Sequence, residues 1–145
     1  MSLIDVENIM ITEQQREEAI ERVTENWRVL ERMSPELKGD RAVVMAAVSQ
    51  NGRALRGASA DLKNDPEIVL AAVRQHGWAL EYAHERFRGD RKIVMEAVRQ
   101  HGWALQYAHD DLKRDRAVVM EAVRQHGCAL EYASPTLRGN AEIVL

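Results

Sequence analysis

Asp65-Pro66-Glu67-Ile68-Val69-Leu70-Ala71-Ala72-Val73-Arg74-Gln75-His76-Gly77-Trp78-Ala79-Leu80-Glu81-Tyr82-Ala83 is the stretch that decides the fold. Asp65 suits a helix N-cap, because its carboxylate accepts from the orphan N–H groups of the first turn. Pro66 then takes the first helical position, where a missing N–H costs nothing. Ile68 to Val73 is apolar over most of the girth, so this helix meets neighbours on both sides. Gly77 reads as the left-handed stop that ends it, with positive φ. From Trp78 to Ala83, the spacing of Ala79, Leu80 and Ala83 predicts a second, shorter helix. His84-Glu85-Arg86-Phe87 reads as one tight turn, of 3₁₀ type, whose Phe87 plugs back into the core.

The same text recurs along the chain. Asp40, Asp65, Asp90, Asp115 and Asn140 are spaced by 25, as are Gly52, Gly77, Gly102 and Gly127. Leu55, Leu80, Leu105 and Leu130 keep that step, and so do Leu37, Leu62, Phe87, Leu112 and Leu137. Residues 66–90 and 91–115 agree at 15 of 25 positions, without insertion or deletion. A fixed period of this kind is the signature of a stacked array. The sequence therefore predicts an all-α fold, an open solenoid of about five 25-residue two-helix repeats.

Residues 1–39 read as an N-terminal segment with a degenerate capping repeat, and 40–145 as tandem repeats in one continuous solenoid. In the degenerate copy Val23, Leu30 and Leu37 underlie Val48, Leu55 and Leu62, and Asn26 replaces Gly as a helix stop. Thr12 with Gln15 resembles a capping box, which starts the first helix near Glu13. Its polar residues, among them Glu17 and Glu21, suit a terminal repeat that meets water. At the other end Ile143, Val144 and Leu145 match packing positions of earlier copies. An apolar end of that kind either frays or joins its twin in a two-fold homodimer contact.

Composition narrows the class. Lys plus Arg is 20 and Asp plus Glu is 23 in 145 residues, a net charge of −3. That balance gives no bulk electrostatic case for nucleic acid or an anionic membrane. No apolar run reaches transmembrane length, and no secretory signal precedes the first copy. One Cys excludes an internal disulfide and suits a reducing, cytoplasmic setting.

The pattern carried by Asp65, Val69, Ala72, Val73, Gln75, Gly77, Ala79, Leu80 and Ala83, repeated in residues 41–65, 91–115 and 116–140, resembles the domain of unknown function (DUF) family number 4116. The resemblance covers roughly residues 37–145, and Phe87 departs from the usual Leu. It implies tandem helical units, and it implies no activity, cofactor or functional residue.

Comparing the copies separates packing from surface. Ala47, Val48, Leu55 and Ala58 stay small and apolar at their equivalents, which marks them as core. The position after the glycine holds Arg53, Trp78, Trp103 and Cys128, and a place that accepts Arg is not fully buried. Trp78, Tyr82, Trp103, Tyr107 and Tyr132 form an aromatic stripe along the second helices, read either as packing between copies or as a binding surface. His84 and His109 run beside it and complete the candidate surface.

The other recurring residues have plainer readings. His76, His101 and His126 sit at helix C-termini, where the dipole favours the protonated form. Helices about 8–10 Å apart place equivalent histidines poorly for sharing a metal, so no metal or cofactor is expected. Lys38, Lys63, Arg88, Lys113 and Arg138, with Arg74, Arg99 and Arg124, form basic ladders that read as paired charges on a solvated face. Gln50, Gln75, Gln100 and Gln125 suggest hydrogen bonds to backbone between copies. Neither a phosphate loop, a nucleophile elbow nor a His-Glu-x-x-His is present, Ser134 has no neighbouring base at a meaningful spacing, and Cys128 reads as an incidental thiol at the surface position, so no enzyme is expected. The function that follows is protein–protein interaction or scaffolding with an unknown protein partner. Nucleic-acid binding through the basic ladders, or a purely structural segment of a longer array, are the alternatives.

Overall fold

The structure, a computed structural model, describes residues 10–139. Five longer helices recur through it: α1 (Glu13–Glu25), α2 (Arg41–Gln50), α3 (Pro66–Gln75), α4 (Arg91–Gln100) and α5 (Arg116–Gln125). Each starts where the caps place it. Thr12 and Gln15 form a reciprocal capping box on α1, Gln15 N–H donating to Thr12 Oγ1 at 3.1 Å and Thr12 N–H to Gln15 Oε1 at 2.8 Å. The carboxylates of Asp40, Asp65, Asp90 and Asp115 accept from first-turn N–H groups of α2 to α5.

The second element of each copy is a 3₁₀ segment rather than an α-helix. These run Trp27–Arg32, Gly52–Gly57, Gly77–Tyr82, Gly102–Tyr107 and Gly127–Tyr132. The 3₁₀ rise of about 2.0 Å per residue carries six residues about 12 Å, nearer the span of the ten-residue helix beside them. A third, one-turn element closes each copy and turns its Leu or Phe inward, with Phe87 and Leu112 buried.

Each helix packs on the next, α1 on α2 through α4 on α5, and the 3₁₀ segments pack in the same order. This is the nearest-neighbour architecture of a stacked repeat. The core is a thin layer of fully buried side chains, such as Val43, Val44, Ala47 and Val48, repeated as Ile68, Val69, Ala72 and Val73 one helix further on. Two further ladders tie copies together. The N–H groups of Ser59, His84, His109 and Ser134 donate to the carbonyls of Lys38, Lys63, Arg88 and Lys113, all at 2.9 Å. Arg16 reaches Asp40 and Arg91 reaches Asp115 at 2.8 Å, and Arg41 reaches Asp65 at 3.3 Å. Each of these arginines joins the cap of the next helix, and Pro66 removes the rung from the third copy.

The recurring glycines correct the sequence reading. Among the described residues no glycine has positive φ, so Gly77, Gly102 and Gly127 are not left-handed stops. The helices end instead on an extended residue, Asn51 at φ −158°, His76 at −154° and His101 at −143°. Asn26 ends α1 in the same extended way, at φ −150°. Glycine is needed for the close approach of the next copy. A Cβ on Gly52, Gly77 or Gly102 would lie 2.1, 2.3 or 2.2 Å from the carbonyl oxygen of Ala72, Ala97 or Ala122.

The glutamine ladder is not formed either. Gln50, Gln75, Gln100 and Gln125 end their helices exposed, and among the described residues none bonds to a neighbouring copy. The apolar end at Ile143, Val144 and Leu145, on which self-association rested, lies outside the described residues.

Candidate binding surface

The 3₁₀ segments carry the aromatic residues, and their stacking brings equivalent positions together. Trp78 and Trp103 lie 6.3 Å apart between ring centroids. The histidines at the helix ends join this file. His76 lies 4.9 Å from His101, Trp78 5.9 Å from His101, and Trp103 5.1 Å from His126. His76 and His101 are therefore in ring contact, closer than the helix spacing predicts. Among the described residues no group of three His, Cys, Asp or Glu is placed to hold a metal ion.

For His76 and His101 the protonated reading fails. His101 Nδ1 accepts a hydrogen bond from Gly77 N–H at 3.3 Å, which requires that nitrogen to be unprotonated. Burial pushes His76 and His101 below the ordinary histidine value, and the facing histidine and Arg53 push in the same direction. Desolvation and like charge outweigh the helix dipole here.

Tyr82, Tyr107 and Tyr132 are half-buried beside the file. Burial, and then Glu81, hold the Tyr107 phenol above its ordinary value. Tyr132 is also raised, first by its hydrogen bond to Glu131. Trp103 is 39% exposed, while Trp78 is half-buried with an Nε1 that is out of solvent and unpartnered among the described residues.

A groove of about 350 Å³ opens on this face. The rings of Trp27, Trp78, Tyr82 and Tyr107 line it, with Arg28, Arg53 and Arg56 and the carboxylates of Glu31 and Glu81. It thus draws on four successive copies. A second hollow of about 370 Å³ shares Trp27, Arg28, Glu31 and Arg56 with it and adds Arg32, so the two form one trough.

Of the aromatic stripe read from the sequence, Trp78, Tyr82 and Tyr107 line this groove. Trp103 and Tyr132 belong to the same aromatic series and lie outside the trough lining, towards the C-terminal copies. His84 and His109 belong elsewhere. Their N–H groups hold the backbone ladder, the His84 ring caps Arg86 N–H at 3.1 Å, and His109 lies over Gly89 of the preceding copy. The reading missed Trp27 and the arginines. Counting back 25 from Gly52 and Arg53 finds Trp27 and Arg28, so the signal lay in the degenerate copy.

The basic ladders divide. Arg74 and Arg99 flank Glu96 at 4.0 and 3.6 Å, and Arg124 meets Glu121 at 3.6 Å. Lys38, Lys63 and Lys113 make no ion pair with a helix cap among the described residues; their carbonyls, not their ammonium groups, connect the copies. Cys128 is an exposed free thiol. No helix among the described residues is long and apolar enough to cross a membrane.

The family described as domain of unknown function (DUF4116) matches three times in tandem, at residues 16–62, 43–88 and 90–138. The chain belongs to that family, and the match reaches back into the degenerate copy, further than the sequence resemblance alone. No curated protein and no solved structure gives a significant match.

Proposed function

We propose that this member of the family is a protein–protein interaction module whose binding face is the 3₁₀ side of the stack. The observation that carries the reading is the trough, in which aromatic and guanidinium groups from four successive copies converge. Trp, Tyr and Arg are the residue types that dominate interface energetics. An open trough suits binding, and the proposed role is non-enzymatic. The single unpaired thiol is in keeping with a cytoplasmic setting.

The test is affinity capture from a lysate of the source cells, with and without nuclease, using the full chain and a Tyr82→Ala/Tyr107→Ala variant. A protein retained after nuclease treatment and lost with the double variant supports the reading. Capture abolished by nuclease, or unaffected by the double variant, refutes it.

A further inference from the structure

Resting on that reading of the trough, we infer that its occupant is an extended acidic peptide segment, with carboxylates taken by Arg28 and Arg53 and apolar side chains laid on the rings between them. The charge of the trough departs from that of the chain. It holds Arg28, Arg32, Arg53 and Arg56 against Glu31 and Glu81, in a protein whose net charge is −3. On the α-helical side Arg16, Arg41, Arg74, Arg91, Arg99 and Arg124 each meet a carboxylate. In the trough only Arg56 does so, with Glu31 at 3.4 Å. Arg28, Arg32 and Arg53 are exposed and form no ion pair among the described residues.

Two of these guanidiniums are also arranged. The Arg28 guanidinium lies over the Trp27 ring at 4.7 Å, a cation–π contact that holds an exposed side chain beside the ring. Arg28 and Arg53 occupy equivalent places in adjacent copies, 25 residues apart. Adjacent copies stack about 10 Å apart, and a peptide drawn out as polyproline II advances about 3.1 Å per residue with three residues per turn, so acidic residues three apart share one face and meet the two arginines together. Glu31 and Glu81 interrupt the positive lining, which disfavours a continuous polyphosphate and favours discrete carboxylates with neutral residues between them.

The experiment selects a random dodecapeptide display library on the full chain, then measures the enriched peptides, fluorescein-labelled, by anisotropy. The expected result is enrichment of Asp or Glu at i and i+3 beside apolar residues, with affinity that weakens on adding salt. Arg53→Gln and Arg28→Gln each weaken binding about tenfold, the scale of a lost charge-assisted hydrogen bond. Arg53→Glu, on an exposed side chain, shifts the selection towards Lys and Arg. Enriched peptides that carry no acidic residue but still depend on Tyr82 and Tyr107 overturn the acidic inference and leave the trough as a binding site. Peptides indifferent to both the arginines and the tyrosines overturn the trough reading as well. Displacement of the peptides by a uridine dodecanucleotide at equal concentration shows a nucleic-acid site and overturns both.

Discussion

Replacing Gly102 by Ala places a methyl group 2.2 Å from the Ala122 carbonyl oxygen, where Cβ contacts essentially never fall below 3.0 Å. The α5 backbone must therefore retreat by about 0.8 Å. It cannot do so alone, because Val118, Val119 and Ala122 on α5 and Ala104 and Leu105 on the facing segment are all fully buried. A gap of about 0.5–1 Å forfeits roughly a quarter to a half of each dispersion contact across it. Overpacking of this kind costs about 3 kcal/mol, and the lost freedom of the unfolded glycine returns about 0.4–1 kcal/mol, leaving a net loss of about 2 kcal/mol. For a chain of this size that lowers Tm by roughly 6 °C. Gly127 is the internal control, since a Cβ there meets nothing within 4 Å and its φ is not positive. Gly127→Ala should be neutral or stabilising by up to about 1 kcal/mol. Urea and thermal unfolding followed by circular dichroism measure both variants. If the two glycines were left-handed helix stops, both substitutions would destabilise alike, and that result refutes the close-approach argument.

Other consequences can be checked separately. His76 and His101 are held below the ordinary histidine value, so the unfolded chain binds protons that the folded chain refuses, and stability should fall as pH drops below about 6.5. His76→Asn/His101→Asn should flatten that slope between about pH 7 and 5.5 while keeping the fold, because Asn51 already caps the equivalent segment by accepting from Arg53 N–H at 2.9 Å. The Arg91 hydrogen bond holds the Asp115 carboxyl below its ordinary value, so its contribution is present above about pH 4 and is lost as pH falls through the depressed value. Asp115→Ala should cost about 1–2 kcal/mol at neutral pH in urea unfolding, and Asp115→Asn, which retains a capping oxygen, should cost less. Solution scattering should give a radius of gyration clearly above the roughly 14.6 Å of a compact chain of this length; a value at that figure refutes the open stack.

The period of 25, the Asp caps, the capping box at Thr12 and Gln15, and the buried Ala-Val layer were all legible in the sequence. They depend on local chemistry and on repetition, and both are written along the chain. The aromatic series was legible in part, because Trp78 with Trp103, and Tyr82 with Tyr107, stand in register one copy apart. What the sequence could not supply is the spacing between copies. The glycines pointed locally to a turn, and only the stacked helices show an alanine carbonyl filling the place of each missing side chain. The histidines pointed locally to a helix dipole, and only the burial and ring contact of His76 and His101, with the bond from Gly77 to His101, make the neutral form of those two the favoured one. Trp27 and Arg28 sit in the most degenerate copy, where the pattern is weakest, yet the stack brings them to one trough with Arg53 and Trp78. Residues 25 or 50 apart in the chain become neighbours only when the copies are superposed in space, and that step fixes which surface the protein presents.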